Sequence, residues 1–226
     1  MPFVLQLRLL AGRYLSDGFV ARCVTLHAGA GRRWPEQKRE LMKPTDLNDI
    51  EKVLIEASKI TNHRHFVIAG SLSIIGAIIF PPDEMCFSRD VDMYPKFDLA
   101  RAGEIAAAIG VDSAFSREHG VYADAISPAL LSLPPLWENR LIQIPLPSGV
   151  TGWFLDPVDA AISKLVRGEP RDVSWVKAGL QCGIISERVF RDRLPFVSNV
   201  LDGEVEETLR RFNRLTGKTR GDAPKC

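Results

Sequence analysis

The apolar run Phe66-Val67-Ile68-Ala69 stops at Gly70-Ser71 and is followed, one helix later, by Asp90-Val91-Asp92-Met93-Tyr94. Side chains alternate along a strand, so residues two apart point the same way. Asp90 and Asp92 therefore aim their carboxylates at one spot. Two hard oxygen ligands at one spot suit Mg²⁺, which takes one or two carboxylates together with substrate phosphates. Phosphoryl or nucleotidyl transfer requires such an arrangement. The Gly-Ser pair fits beside it. Glycine allows a sharp strand-to-helix turn and close approach of a ligand, helix-start N–H groups attract phosphate, and Ser71 adds a hydroxyl. Each motif alone is weak, and together, with a strand around each, they are moderately specific.

The 226 residues suffice for one substantial domain, or one with a small appendage. A net charge of +1 argues against a surface that is wholly a nucleic-acid footprint, while leaving room for a local basic patch. No stretch reaches the roughly 20 apolar residues of a membrane span, so no membrane partner is expected. Cys23, Cys86, Cys182 and Cys226 form no Cys-x-x-Cys pair and have no His at zinc-site spacing. They read as reduced thiols of a cytoplasmic protein.

Residues 1–42 hold Arg8, Arg13, Arg22, Arg32 and Arg33, with Asp17 the one acid before Glu36, and keep no apolar period. A transit peptide, a disordered basic arm, or a start codon assigned too early each account for them. The third is favoured, because clear patterning begins after Met42. Residues 43–155 then read as the core, 156–217 as a helical region, and 218–226 as a loose tail.

Within the core, Thr45 or Asp46 caps a helix with the stripe Leu47, Ile50, Val53, Leu54 and Ala57. A strand spans about 65–69, and a short buried helix spans 71–79 before Pro81-Pro82. A loop leads to the acidic strand at 90–94. A helix over 99–109 ends at Gly110. Residues 112–135 are ambiguous, with a strand near 120–123, and strands follow at 140–145 and 152–155. From Asp156-Pro157, a cap with proline at the first helical position, helices are expected to 166 or 167, over 170–181, about 186–199 and about 203–215.

A second constellation lies at the first helical corner. Lys164 and Arg167 are three apart and share a helix face. Asp172 follows the Gly168-Glu169-Pro170 break. The corner can turn Lys164 and Asp172 toward one cleft, where Lys164 grips triphosphate oxygens and Asp172 orients it or activates an acceptor hydroxyl. A surface ion pair with an acid at a helix start is the alternative.

The ordered set Phe66-Val67-Ile68-Ala69-Gly70-Ser71, Ser88-Arg89-Asp90-Val91-Asp92, the Lys164-Leu165 helix and Arg171-Asp172 resembles the nucleotidyltransferase superfamily. Within it, the set is most similar to the AbiEii-like branch that includes the MenT toxins. The resemblance covers roughly residues 42–185. It implies an α+β fold, with a polymerase-β-like mixed sheet and a C-terminal helical region. It implies phosphate binding at the Gly70-Ser71 turn, Mg²⁺ held by Asp90 and Asp92, and active-site roles for Lys164 and Asp172; Lys164 and, on its helix face, Arg167 complete the expected nucleotide-binding set. The implied reaction moves a nucleotide from an NTP to a hydroxyl, with tRNA as acceptor and a cognate antitoxin as partner.

There are departures. The spacing from Ser71 to Asp90 is longer than in minimal nucleotidyltransferases, and Ala69 or Leu72 stands where many relatives carry Gly or Thr. Asp124 is the best match for the superfamily's third carboxylate, with a simple turn residue as the alternative. Two rivals stay open: a small-molecule, aminoglycoside-type nucleotidyltransferase, and a non-catalytic member that binds nucleotide or protein. His63 and His65 read as solvated loop residues, and Trp137, Trp153 and Trp175 as packing. The basic C-terminal residues Arg210, Arg211, Arg214, Lys218 and Arg220 read as a solvated helix face offset by Glu204, Glu206 and Glu207.

Overall fold

The computed structural model describes residues 43–217. The expectations for residues 1–42 and 218–226 lie outside the described residues.

Helix α1 (Leu47–Thr61) starts at a reciprocal cap: the Asp49 N–H donates to Asp46 and the Asp46 N–H donates to Asp49. Its stripe Ile50, Val53, Leu54 and Ala57 is fully buried. Strand β1 (His65–Ile68) leads through Gly70 into a 3₁₀ turn, Ser71–Ser73, and then α2 (Ile74–Ala77). This helix is shorter than expected. Ile78 is extended, and Ile79 and Phe80 are exposed. Two Ile-Ile pairs flanking Gly76-Ala77 hold a helix poorly, and Pro81 pushes Phe80 out of helical conformation. The expected loop that follows contains a short helix, α3 (Asp83–Cys86).

Strand β2 (Asp90–Pro95) is followed by a 3₁₀ turn, Leu99–Arg101, and α4 (Ala102–Ile109), which ends at Gly110 as expected. The ambiguous stretch resolves into α5 (Ala114–His119), capped by Ser113 and Gly120, and β3 (Tyr122–Ala125). After 3₁₀ turns at Pro128–Leu130 and Trp137–Arg140 come β4 (Ile142–Pro145) and β5 (Thr151–Phe154). The C-terminal helices are α6 (Pro157–Arg167), α7 (Pro170–Gln181), α8 (Glu187–Arg193) and α9 (Glu204–Thr216). Helix α8 is shorter than expected because Pro195 ends it in a 3₁₀ turn, Leu194–Phe196.

Among the described residues the strands form one sheet in the order β3-β2-β1-β5-β4. The β2/β3 and β1/β5 pairs are parallel, and β1/β2 and β4/β5 antiparallel. One face of the sheet, carrying Phe66, Ile68, Val91, Met93 and Phe154, packs into a core that takes in α1, α4 and the C-terminal helices. The other face carries Val67 and Tyr94, which form a thin cluster with Ala102 from the start of α4, backed by Trp137, Leu141 and Trp153. The result is the α+β fold expected from the sequence. Among the described residues no helix is long and apolar enough to cross a membrane.

Candidate active site

Alternation along β2 puts Val91 and Met93 into the core, so Asp90 and Asp92 are turned to the opposite side. Strand β3 runs parallel to β2 with Asp124 in register beside Asp92. The three aspartates each bring one carboxylate oxygen within 4.8 Å of the others. Ser88 donates a hydrogen bond to Asp90 Oδ1. Burial, with Asp90 and Asp124 close by, pushes the Asp92 carboxyl up to about 6, against the opposing pull of Lys164 and Arg167. Burial and Asp90 also raise Asp124.

Gly70 turns the chain beside this cluster, with φ of 59° and ψ of −149°. A Cβ there would overlap Asp92 Oδ2. Glycine is therefore required twice: for its backbone angles and for the closeness of the carboxylate.

The α6–α7 corner supplies the cations. Lys164, 5% exposed, donates from Nζ to Ser71 Oγ at 2.9 Å and to Asp172 Oδ1 at 3.1 Å. Arg167 grips both oxygens of Asp172 at 2.7 Å each. Asp172 and Lys164 are both buried, so their contact is no surface ion pair, while Arg167 reaches Asp172 from a half-exposed position. Burial alone would raise the Asp172 carboxyl, but the Arg167 hydrogen bonds and the Lys164 ammonium outweigh it and hold it below the usual range. Burial draws Lys164 below the ordinary lysine value, with Asp172 opposing. Trp175, buried in α7, lies under the ammonium at 5.2 Å and donates its indole N–H to the Ser71 and Met85 carbonyls.

Gly70, Asp92, Asp124, Lys164 and Arg167 line one cavity of about 550 Å³. Asp90 completes the acidic cluster, and Ser71 and Asp172 stand behind Lys164. All eight residues singled out in the sequence thus meet at one place. The donor set suits a hard divalent cation: it is all carboxylate oxygen. Four aspartates face two basic side chains, leaving two negative charges for such a cation to balance.

Other residues fall elsewhere. His63 pairs with Asp98, and His65 accepts from the Trp153 indole. Arg210, Arg211 and Arg214 pair with Glu207, and Arg211 also donates to the Leu165 and Val166 carbonyls at the end of α6. Sequence reasoning missed the far wall of the cavity, formed by Leu130, Leu131, Leu201 and Glu204. Its one trace in the sequence was large apolar residues in segments without helical or strand period.

No curated protein and no solved structure matches the chain. A family model described as "Nucleotidyltransferase of unknown function" matches residues 45–200, which hold the sheet, the acidic cluster and the α6–α7 corner. With three carboxylates, a glycine bend and a buried lysine gathered inside the matched span, the chain belongs to that nucleotidyltransferase family, DUF6036.

Proposed function

We propose that the protein is a Mg²⁺-dependent enzyme that transfers a nucleotide from an NTP to a hydroxyl acceptor, with tRNA as the acceptor. The observation that carries this reading is the cluster of three carboxylates beside Gly70 and the Lys164–Ser71 pair, facing one cavity. Asp90, Asp92 and Asp124 would hold the cation. When bound, a divalent cation neutralises charge on the phosphates and orients them.

The chain's own groups do the rest. The Lys164 ammonium and the Ser71 hydroxyl present hydrogen-bond donors to the triphosphate, and Arg167 adds a second positive charge. Asp172 fixes both cations, so their positions are set before substrate arrives. Asp124, the most exposed of the three aspartates, accepts the proton of the attacking hydroxyl. The acceptor oxygen bonds to the α-phosphorus, the bond to the bridging oxygen breaks, and pyrophosphate leaves.

The finer parts of the reading rest on motif order. The succession Gly70-Ser71, Asp90-Val91-Asp92, Lys164 and Arg171-Asp172 resembles the AbiEii-like and MenT toxins. It supports a cytoplasmic toxin restrained by an antitoxin partner.

Incubation with each labelled NTP, Mg²⁺ and total RNA tests the reaction. Label appears in tRNA, and it disappears with Asp92→Asn. Label transferred to an aminoglycoside and not to RNA would replace tRNA by a small-molecule acceptor. No incorporation with any NTP or acceptor, or equal incorporation by Asp92→Asn, overturns the transferase reading. Growth arrest on expression, relieved by a neighbouring gene product, tests the toxin role.

A further inference from the structure

Besides its charged residues, the cavity has an apolar part to its lining. It is built from two turns: the segment after β3, bearing Leu130 and Leu131, and the turn before α9, bearing Leu201. Leu130 is 81% exposed and Leu201 76% exposed. Large apolar side chains exposed to this degree at the mouth of a polar cavity mark a surface that a ligand covers.

The two turns are fastened to each other before any ligand arrives. Ser132 Oγ donates to the Asn199 carbonyl at 3.1 Å, and Asn199 Nδ2 donates to the Ala129 and Leu131 carbonyls at 3.3 and 3.4 Å. Ser198 donates from both its N–H and its Oγ to the Leu133 carbonyl. A preformed slot loses less entropy on binding than a loose one.

Glu204, the first residue of α9, also lines the cavity. Its Oε2 accepts the Leu201 N–H at 2.7 Å. Its Oε1 has no protein partner among the described residues. The wall therefore offers an apolar slot with one carboxylate acceptor at its edge and no matching donor from Glu204.

We propose that this wall is the nucleobase subsite: Leu130 and Leu201 cover the faces of the base, and Glu204 accepts a hydrogen bond from an exocyclic amino group on its pairing edge. The inference rests on the nucleotidyltransferase reading, because the charged wall must take the triphosphate for the base to reach this one. Adenine, cytosine and guanine present amino hydrogens to a carboxylate. Uracil presents carbonyl oxygens on both sides of its single N–H, and these repel it. The site selects amino-bearing NTPs against UTP. With UTP the Glu204 carboxylate is left unmatched, and that loss supplies the discrimination.

The α,β-methylene analogues of ATP, CTP, GTP and UTP resist transfer, so they report binding apart from activity. Calorimetric titration into the full chain with Mg²⁺ gives the UTP analogue at least about tenfold weaker binding than the tightest amino-bearing analogue. Glu204→Gln keeps a carbonyl oxygen for the Leu201 N–H and brings the four within about threefold. The double variant Leu130→Ser, Leu201→Ser weakens all four by about tenfold. Val111→Ala, an exposed apolar residue away from the cavity, changes none of them. Base-independent binding by the unaltered protein, or an unchanged ranking in Glu204→Gln, overturns the subsite; continued transfer of labelled NTP would then leave the transferase reading standing. If none of the analogues binds, the cavity takes no nucleotide and both fall.

Discussion

Asp92 carries the strain of the acidic cluster. Its carboxyl is pushed up to about 6 by burial, Asp90 and Asp124, while an unfolded aspartate titrates near 4. Between those values the folded, metal-free protein binds a proton that the unfolded chain does not. Stability in EDTA should therefore fall as pH rises from about 4 to about 6 and stay lowered above that. Asp92→Asn should remove this loss and stabilise the metal-free protein at pH 7 by up to about 3 kcal/mol, while abolishing transfer. Added Mg²⁺ should raise the melting temperature at pH 7.5, and its effect should shrink below pH 6 as protons compete for the same oxygens. Melts in EDTA and in Mg²⁺ across this range decide it, and a Mg²⁺ effect independent of pH would remove Asp92 from the metal site. Gly70→Ala adds a Cβ where Asp92 Oδ2 stands and strains a positive φ. It should cost about 1–3 kcal/mol in chemical denaturation and eliminate the Mg²⁺ stabilisation by displacing the carboxylate.

At the scale of elements, the α6–α7 corner shows how much a sequence can display. Asp156-Pro157 at the start of α6, Gly168 in a left-handed conformation at its end, and Pro170 opening α7 are local signals, and each boundary fell where they stood. The spacing of Lys164, Arg167 and Asp172 was equally local. Asp124 was harder. Its place beside Asp92 comes from the parallel β2/β3 pairing, across α4 and α5, and no periodicity encodes that register. Helix α5 was invisible because its six residues bury none of their side chains fully and so leave no apolar stripe. The far cavity wall consists of turns, whose geometry follows from hydrogen bonds such as those of Ser132 and Asn199. Asp172 tests the corner as a unit. Asp172→Ala leaves Lys164 buried without its anion, and removal of one partner from a buried pair costs about 3–5 kcal/mol. Urea unfolding should show that loss, together with weaker binding of every NTP analogue. A variant as stable as the parent would mean that the corner relaxes around Lys164.

At the scale of the whole molecule, the described residues fold around a large apolar cluster that runs from Ile50 in α1, through Phe66 and Phe154 in the sheet, to Phe212 in α9. Phe212 is fully buried and stacks on Phe190, ring centroids 3.8 Å apart. The adjacent Arg211 closes the end of α6, two helical turns of which separate Asp156 from the lysine facing Ser71. The sheet brings the aspartates, and the helices bring the cations and Glu204. Neither half of the cavity exists without the other. Residues 43–155 alone would expose the core face of the sheet that α6 and its neighbours cover, so this fragment should give no cooperative thermal transition. In the full chain, Phe212→Ala should cost about 3–5 kcal/mol. Tryptophan fluorescence, which reports Trp153 in β5 and Trp175 in α7 together with Trp34 and Trp137, and far-ultraviolet circular dichroism should still trace one coincident unfolding transition. Two separated transitions, with the acidic sheet surviving loss of the helices, would mean that the site is assembled by docking of two units instead of by folding of one. Mg²⁺ would then be expected to stabilise the sheet transition alone.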